Sequence, residues 1–329
     1  MGGASRQTFA ATLPSDRFYC LLDELPLHLI PQRDMKLLRP HADQPLYLNP
    51  ECILCSPGQL PKELASSREL LSGFALQATI AWVRDSATGG WLPFWLGPQF
   101  EAIVRGLTSN QPVSDAIPLG TRDLLAGAKI LVSRSGKDSR QPRNDERLRE
   151  ASILFRERGY APVGGLIHPF HIAALRRYYR HQIRSGAIRL GDRQSPRRYV
   201  AYNEPVARFF HHQIAPALCA LAGQALKPSY VYMASYLSGA ELKKHTDREQ
   251  CEFSVTLCLD FSPEPAAATP WPIRLDTPTG TVTVYQALGD GLAYRGTRLP
   301  HYRTPLGEDQ TSTSIFFHYV AADFAGSLD

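Results

Sequence analysis

The chain has 329 residues, of which 43% are apolar and 20% are charged, and its net charge is +5. This composition is that of an ordinary globular protein and excludes a disordered or fibrous chain; the length allows one large domain or two smaller ones. No window reaches about 18 consecutive apolar residues, and the first residues lack the apolar core of a secretion signal. We therefore predict two domains, no membrane span and a cytoplasmic location.

The cysteines and the basic residues narrow the class further. Basic residues concentrate in Arg134–Arg149 and Arg176–Arg198, a pattern that favours a solvated linker and a charged helix face over a nucleic-acid groove. Six cysteines are too few and too scattered for a disulfide framework in a chain of this length, so free thiols are expected. They are Cys20, Cys52, Cys55, Cys219, Cys251 and Cys258.

Residues 1–132 are predicted to form a smaller mixed α/β domain. Two aromatic-rich runs, Phe74–Val83 and Trp91–Trp95, flank a glycine-containing turn, which predicts a hairpin. Apolar spacings of about 3.6 residues predict helices at Pro98–Leu107 and Thr121–Leu131. A hairpin with short helices is similar to the winged-helix-like domains that recognise peptides in peptide-modifying enzymes. The alternative is that this region only supports the second domain.

Residues 133–146 contain no apolar residue and carry Gly136, Pro142 and charges of both signs. Such a composition is typical of a connector between folded units. We predict a linker here, followed by a second domain over residues 147–329.

In the second domain, helices come first and strands follow. Helices are predicted at Arg147–Glu157, Pro169–Ile183 and Pro205–Leu221, and the middle helix has an apolar face and a basic face that includes Arg176. Many short strands after leading helices indicate an α+β fold, a double-sheet jelly roll with a helical buttress. The strands are predicted at Tyr230–Tyr236, Glu252–Leu259, Ile273–Asp276, Gly280–Tyr285, Gly291–Tyr294 and Ser312–Val320.

His245 and Asp247 form a His-x-Asp motif between two predicted strands, and residues two apart on an extended segment project to the same side. His301 follows the predicted strand Gly291–Tyr294, so a neighbouring strand can supply a third ligand. Two imidazoles and one carboxylate on one face of iron(II) leave the opposite face open for oxygen. These three residues therefore predict an oxygen-activating metal site.

The motif alone is weak evidence, because about one His-x-Asp is expected by chance in a chain with ten histidines. A second copy, His41–Asp43, lies between two prolines with no predicted strand nearby, and we interpret it as a surface turn. His211 and His212 are adjacent on a predicted helix and point apart, so they are not expected to share a metal. His318 is interpreted as a hydrogen-bonded histidine of the last strand.

The second domain resembles the iron(II)- and 2-oxoglutarate-dependent dioxygenases of the prolyl-hydroxylase-like and phytanoyl-hydroxylase-like branches, over roughly residues 148–324. The resemblance implies a double-stranded β-helix, iron(II), 2-oxoglutarate and O2 as cofactor and cosubstrates, and succinate and carbon dioxide as coproducts. It implies that His245, Asp247 and His301 ligate the iron. The matching residues are Tyr236, Gly239, Leu242, His245, Asp247, the turn Gly289–Gly291, His301 and the Ser/Thr-rich strand that ends at Phe316–Phe317.

One feature departs from the family pattern. Many members carry an Arg or Lys about ten residues after the distal His, where it pairs with the far carboxylate of 2-oxoglutarate. Here that stretch is Gln310–Ser314 and contains no cation. Because a half-buried carboxylate requires a paired charge or several donors, another residue must take this role. Arg303, two residues beyond His301, is the first candidate and Arg295 the second, with hydroxyl donors at Tyr236, Ser312 and Ser314.

The sequence thus predicts an iron(II)/2-oxoglutarate oxygenase that hydroxylates an unactivated C–H of an amino acid, a peptide side chain or a natural-product intermediate. The Asp247 carboxylate favours hydroxylation over halogenation, since related halogenases have a small residue there; desaturation and cyclisation stay open. The main alternative is a cupin-like metal-binding protein without 2-oxoglutarate chemistry, which the missing cation favours. The expected partner is a small molecule or a peptide, and neither the substrate nor the oligomeric state is predicted.

Overall fold

The computed structural model describes residues 9–38, 44–85, 88–134 and 141–328, without the side chains of residues 141–145. The described chain is a mixed α/β structure with several antiparallel sheets. The surface turn predicted at His41–Asp43 and residues 135–140 of the predicted linker lie outside the described residues. None of the helices in the described ranges is long and apolar enough to cross a membrane.

Two small antiparallel sheets form in the first part of the chain. β1 (Leu46–Leu48) pairs with β5 (Leu131–Ser133). β2 (Ile53–Cys55) pairs with β3 (Thr79–Arg84), which pairs along its whole length with β4 (Trp91–Leu96). The β3–β4 pairing confirms the predicted hairpin.

The helices of this part are α1 (Pro98–Arg105) and α2 (Leu119–Gly127). Pro98 occupies the first turn of α1, where its missing N–H costs no hydrogen bond. α2 ends earlier than predicted, because Lys129 takes a positive φ of 59° and turns the chain into β5. Short 3-10 helices lie at Phe9–Thr12, Leu27–Leu29, Gln32–Leu38, Lys62–Leu71 and, later in the chain, Glu249–Cys251.

Three longer helices follow: α3 (Gln141–Arg158), α4 (Pro169–Arg184) and α5 (Pro205–Ala222). α3 begins before its predicted start, so residues 141–146 of the predicted linker are helical. α4 and α5 match their predictions. The Glu204 carboxylate caps α5 by accepting hydrogen bonds from two of its first N–H groups, and Gly223 ends the helix with a φ of 70°.

Within the described residues 141–328, eleven strands form two larger antiparallel sheets. They are β6 (Tyr160–Val163), β7 (Arg189–Leu190), β8 (Arg198–Tyr202), β9 (Leu226–Tyr236), β10 (Leu242–His245), β11 (Phe253–Ser262), β12 (Ile273–Thr277), β13 (Gly280–Val284), β14 (Gly291–Tyr294), β15 (His301–Arg303) and β16 (Thr311–Ala321). One sheet has the strand order β6-β14-β11-β16-β9-β8-β7 and the other β10-β15-β12-β13. The six predicted strands are present with small shifts at their ends.

The two larger sheets pack against each other through buried apolar side chains. Ile273 and Leu275 of the four-stranded sheet cluster with Leu292 and Tyr294 of the seven-stranded sheet. This contact holds β15 and its neighbours over the inner face of the larger sheet, where the candidate site lies.

The basic face predicted for α4 is wrong at Arg176, which is fully buried. Its guanidinium donates hydrogen bonds to Asp260 at 2.9 Å and to Glu264 at 2.7 Å. Two carboxylates offset the cost of burying the cation, so Arg176 ties α4 to β11 instead of facing water.

Buried contacts also join the two predicted domains. The Phe18 ring, from the first, lies 5.9 Å from the Tyr178 ring and 5.7 Å from the Phe210 ring, both from the second. These side chains belong to one buried apolar cluster. The division at residues 133–146 stays a prediction. All six cysteines are free thiols, as predicted.

Candidate metal centre

The structure brings His245, Asp247 and His301 together. β10 pairs with β15 so that His245 lies directly opposite His301, with ring centroids 4.4 Å apart. β10 ends at His245, so Asp247 lies just beyond the strand, where its N–H donates to the Gly296 carbonyl at 2.9 Å. Asp247 Oδ1 is 3.6 Å from His245 Nε2 and 3.5 Å from His301 Nε2.

The hydrogen bonds of the two imidazoles set their tautomers. His245 Nδ1 lies 2.7 Å from the Lys243 carbonyl, and His301 Nδ1 lies 3.0 Å from the Leu299 carbonyl. Because a carbonyl only accepts, each Nδ1 carries a proton, so in the neutral imidazole the lone pair is on Nε2; in the protonated imidazole Nε2–H donates to Asp247 instead. A neutral imidazole oriented in this way is the form that binds a metal.

The distances fit one metal ion. The three ligand atoms all lie within 4.8 Å of one another. Metal–ligand distances of about 2.0–2.2 Å place neighbouring ligand atoms roughly 3.0–3.6 Å apart. The separations of 3.6 and 3.5 Å between Asp247 Oδ1 and the two Nε2 atoms lie within this range. The donor set of two imidazole nitrogens and one carboxylate oxygen is the one that suits iron(II) with open positions.

Asp247 is ionised in this setting. Burial raises the pKa of its carboxyl, but hydrogen bonding with His245 and His301 outweighs burial and holds the pKa well below the usual range. The Asp247 carboxylate in turn raises the pKa of His245, against the effect of burial. The site therefore attracts a cation, and a proton and a metal ion compete for the same nitrogen of His245.

Gly296 leaves room for the carboxylate. A Cβ atom at this position would lie 2.2 Å from Asp247 Oδ2 and 2.5 Å from the Cys251 carbonyl. No side chain fits there without displacing Asp247. Sequence reasoning missed this residue, although it lies two residues after β14, the strand that precedes His301.

Arg303 lies on the same face of β15 as His301, as residues two apart on a strand do. Its side chain is buried, with 5% of the residue exposed, and the guanidinium donates to the Trp271 carbonyl and, at 3.1 Å, to Gln286 Oε1. Within the described ranges no carboxylate forms an ion pair with it. A buried cation whose protein partners are all neutral is suited to hold an anion.

Burial lowers the pKa of Arg303, while Cys258, Tyr236 and Tyr294 act in the opposite direction. The guanidinium thus lies among buried side chains of the seven-stranded sheet. Gln286 fixes its orientation, because the Gln286 amide donates to the Thr256 carbonyl at 2.9 Å. Trp271 and Gln286 were not predicted as site residues.

Arg295 is differently placed. Its Nη1 lies 3.5 Å from Glu252 Oε1, and its guanidinium stacks over the Phe253 ring at 4.8 Å. Since this cation already has a carboxylate partner, it is a weaker candidate than Arg303 for binding a cosubstrate.

The three predicted hydroxyl donors are buried and share one face of the seven-stranded sheet. Ser312 lies opposite Tyr236 on β9, and Ser314 lies opposite Ala234. The Tyr236 ring contacts the Trp271 ring at 5.1 Å, and its hydroxyl accepts a hydrogen bond from Arg198 at 3.3 Å. These hydroxyls therefore lie on the side of the sheet from which Trp271 and Arg303 approach.

His318 also lies close to the site. Its Nδ1 is 2.9 Å from Ser254 Oγ, whereas its buried Nε2 has no partner among the described residues. The prediction of a hydrogen-bonded sheet histidine holds for one of the two nitrogens. His211 lies apart from the metal cluster, and its Nε2 contacts the His318 carbonyl at 2.8 Å.

No protein-family model and no curated protein sequence matches the chain. Solved structures similar to it include the non-heme α-ketoglutarate-dependent epimerase SnoN from nogalamycin biosynthesis, at 15% identity over 54% of this chain and 84% of SnoN, with a TM-score of 0.45. A Pseudomonas putida prolyl-4-hydroxylase is 16% identical over 52% of this chain and 98% of its own, with a TM-score of 0.42.

HygX from Streptomyces hygroscopicus, solved with nickel, 2-oxoglutarate and hygromycin B, is 12% identical over 54% of this chain and 88% of its own, with a TM-score of 0.43. SnoN is α-ketoglutarate-dependent and HygX was solved with 2-oxoglutarate.

Proposed function

We propose that this chain is an iron(II)- and 2-oxoglutarate-dependent oxygenase that hydroxylates an unactivated C–H of an amino acid, a peptide side chain or a natural-product intermediate. The observation that supports it most is the pairing of two features on β15. His301 completes a two-histidine, one-carboxylate cluster, and Arg303, on the same face, is a buried cation without a carboxylate partner in the described chain.

Each residue has a distinct part in this proposal. His245 Nε2, Asp247 Oδ1 and His301 Nε2 hold the metal on one side. Iron(II) bound there supplies, with 2-oxoglutarate and O2, an oxidative decarboxylation that yields succinate and carbon dioxide and oxidises the substrate. The carboxylate at position 247 occupies the place that halogenases leave open, which favours hydroxylation.

Arg303 binds the far carboxylate of 2-oxoglutarate. The Trp271 carbonyl and Gln286 Oε1 fix the guanidinium, so little side-chain freedom is lost when the anion binds. Tyr236, Ser312 and Ser314 supply further hydroxyl donors on the facing sheet. Burial of this end of the site keeps water away from the pair and strengthens it.

We also interpret the two larger sheets as the layers of the predicted jelly roll, with α3, α4 and α5 as its helical buttress. Residues 1–132 would then form a smaller mixed unit packed against it. The contacts of Phe18 with Tyr178 and Phe210 support a fixed arrangement of the two parts.

The proposal is tested by iron binding and by release of succinate from 2-oxoglutarate in the presence of iron(II) and O2. His301→Ala is expected to abolish both while leaving the fold intact, as checked by thermal unfolding. His28→Ala is the matched control, because His28 is exposed and lies outside the metal cluster. Undiminished succinate release by His301→Ala would overturn the assignment. Metal binding without any 2-oxoglutarate binding would favour the cupin-like alternative.

A further inference from the structure

A serine and a histidine hold the second oxygen of the Asp247 carboxylate. Ser254 Oγ lies 2.9 Å from Asp247 Oδ2 and 2.9 Å from His318 Nδ1. Ser254 on β11 and His318 on β16 are directly opposite each other in the sheet register. Both are buried, with 1% and 2% exposed, so solvent does not compete for these hydrogen bonds.

The direction of the hydrogen bonds follows from the chemistry of the groups. A carboxylate that binds a metal carries no proton and only accepts, so the Ser254 hydroxyl donates to Asp247 Oδ2. The Ser254 oxygen then accepts from His318, whose Nδ1 carries the proton. This is the one hydrogen bond of the His318 ring within the described residues, since its Nε2 has no partner there.

The backbone of Gly296 also lies close to Oδ2. A Cβ atom on Gly296 would lie 2.2 Å from Oδ2 and 2.7 Å from Ser254 Oγ, so only a glycine leaves room for this pair of atoms. Ser254 Oγ also lies 3.2 Å from the Cys251 carbonyl. Oδ1, in contrast, is the oxygen nearest to both His245 Nε2 and His301 Nε2.

We propose that Ser254 and His318 are positioning residues that hold Asp247 Oδ2 away from the metal, so that Asp247 ligates iron through Oδ1 alone. The inference rests on the proposed function. Its consequence concerns the number of open positions. Ligation through Oδ1 alone would leave a place at the metal that ligation through both carboxylate oxygens would take, and 2-oxoglutarate and O2 would both need such places.

A second metal at this point is a weaker interpretation. Asp247, Cys251 and His318 also have ligand atoms within 4.8 Å of one another. However, burial raises the pKa of the Cys251 thiol to about 12, and its sulfur already contacts the Tyr230 hydroxyl at 3.0 Å. Both sites would need the same carboxylate, so His318 acts on the first site instead of forming another.

The test compares Ser254→Ala with the conservative variants Ser254→Thr, which keeps the hydroxyl, and His318→Asn, which places an amide donor near the position of Nδ1. Ser235→Ala is the matched control. Ser235 is a buried serine that accepts a hydrogen bond from Thr313 at 2.9 Å, and its β9 neighbours Ala234 and Tyr236 point to the opposite face.

Iron(II) is titrated into each protein without oxygen, and 2-oxoglutarate is then titrated at saturating iron(II) while the visible charge-transfer band is recorded. Ser254→Ala is expected to bind iron(II) roughly 10–100-fold more weakly, the range typical for loss of an outer hydrogen-bond partner of a ligand. Its band should also develop at higher 2-oxoglutarate concentrations. Ser254→Thr, His318→Asn and Ser235→Ala should stay within a few-fold of the parent protein.

Two failures are distinguishable. If the parent protein shows no band, the proposed function is wrong. If the parent shows the band and Ser254→Ala matches it in both titrations, only the positioning role is wrong. Should Ser254→Ala fail to fold, His318→Phe, which keeps the ring volume but has no N–H donor, is compared with His318→Asn in the same two titrations. Weaker iron(II) binding by His318→Phe than by His318→Asn would support the positioning role, and equal binding by the two variants would contradict it.

Discussion

Loss of the Arg303 guanidinium is expected to weaken 2-oxoglutarate binding much more than substrate binding. The residue is 5% exposed, and its donors meet only the neutral acceptors Trp271 O and Gln286 Oε1 within the described chain. A charge-assisted, largely desolvated pair contributes about 2–3 kcal/mol. Arg303→Ala should therefore raise the 2-oxoglutarate concentration needed for half-saturation by roughly 30–150-fold.

The assay is a titration of 2-oxoglutarate at saturating iron(II), followed by the charge-transfer band without oxygen and by succinate release with oxygen. Arg303→Lys should recover only part of the loss, because an ammonium group cannot reproduce the fork of a guanidinium. Arg295→Ala is the matched arginine variant, since Arg295 already pairs with Glu252 at 3.5 Å.

The reasoning is refuted if Arg303→Ala leaves the cosubstrate concentration unchanged while Arg295→Ala raises it. If neither variant changes it, the hydroxyls of Tyr236, Ser312 and Ser314 are the remaining candidates. A thermal melt of each variant separates these outcomes from loss of the fold, because removing Arg303 leaves Gln286 Oε1 without its donor.

Three further predictions concern Gly296, His245 and Arg176. Gly296→Ala should greatly weaken iron(II) binding, because its Cβ would lie 2.2 Å from Asp247 Oδ2; an unchanged iron(II) titration would contradict the described packing. Iron(II) affinity should fall as the pH falls through the raised pKa of His245, because protonated His245 has no lone pair for the metal; pH-independent affinity would argue against His245 as a ligand. Arg176→Ala should lower the free energy of unfolding by about 3–5 kcal/mol in urea denaturation, since it leaves a buried carboxylate partner incompletely paired; a change under about 1 kcal/mol would show that the pairing is dispensable.

Local signals in the sequence are sufficient to predict the long helices and the hairpin. Pro205 and Gly223 mark the two ends of α5, and the aromatic runs around one turn predict the β3–β4 pairing. The start of α3 was predicted too late, because residues 141–146 are all polar except for a proline and show no apolar periodicity.

The short strands that carry the metal ligands gave no such signal. β10 reads Leu-Lys-Lys-His and β15 reads His-Tyr-Arg, which are too short and too polar for alternation to be recognised. Their places depend on pairing with each other and with β12. The relation of Arg303 to His301 was nevertheless predictable, since residues two apart on any strand share a face.

Residues whose roles depend on distant partners were missed. The carboxylates that neutralise Arg176 are 84 and 88 residues away in sequence, so a basic helix face was the simpler interpretation. Ser254 is 64 residues from His318, and Gln286 is 17 residues from Arg303. No local pattern links such pairs; only the pairing of the sheets does.

The most direct test of the central claim is the anaerobic visible spectrum of the purified protein after addition of iron(II) and 2-oxoglutarate. If His245, Asp247 and His301 hold iron and Arg303 anchors the cosubstrate, a charge-transfer band should appear only when both are present and should saturate at one iron per chain. Iron binding with no band at saturating 2-oxoglutarate would contradict the proposal and favour a metal-binding protein of another function.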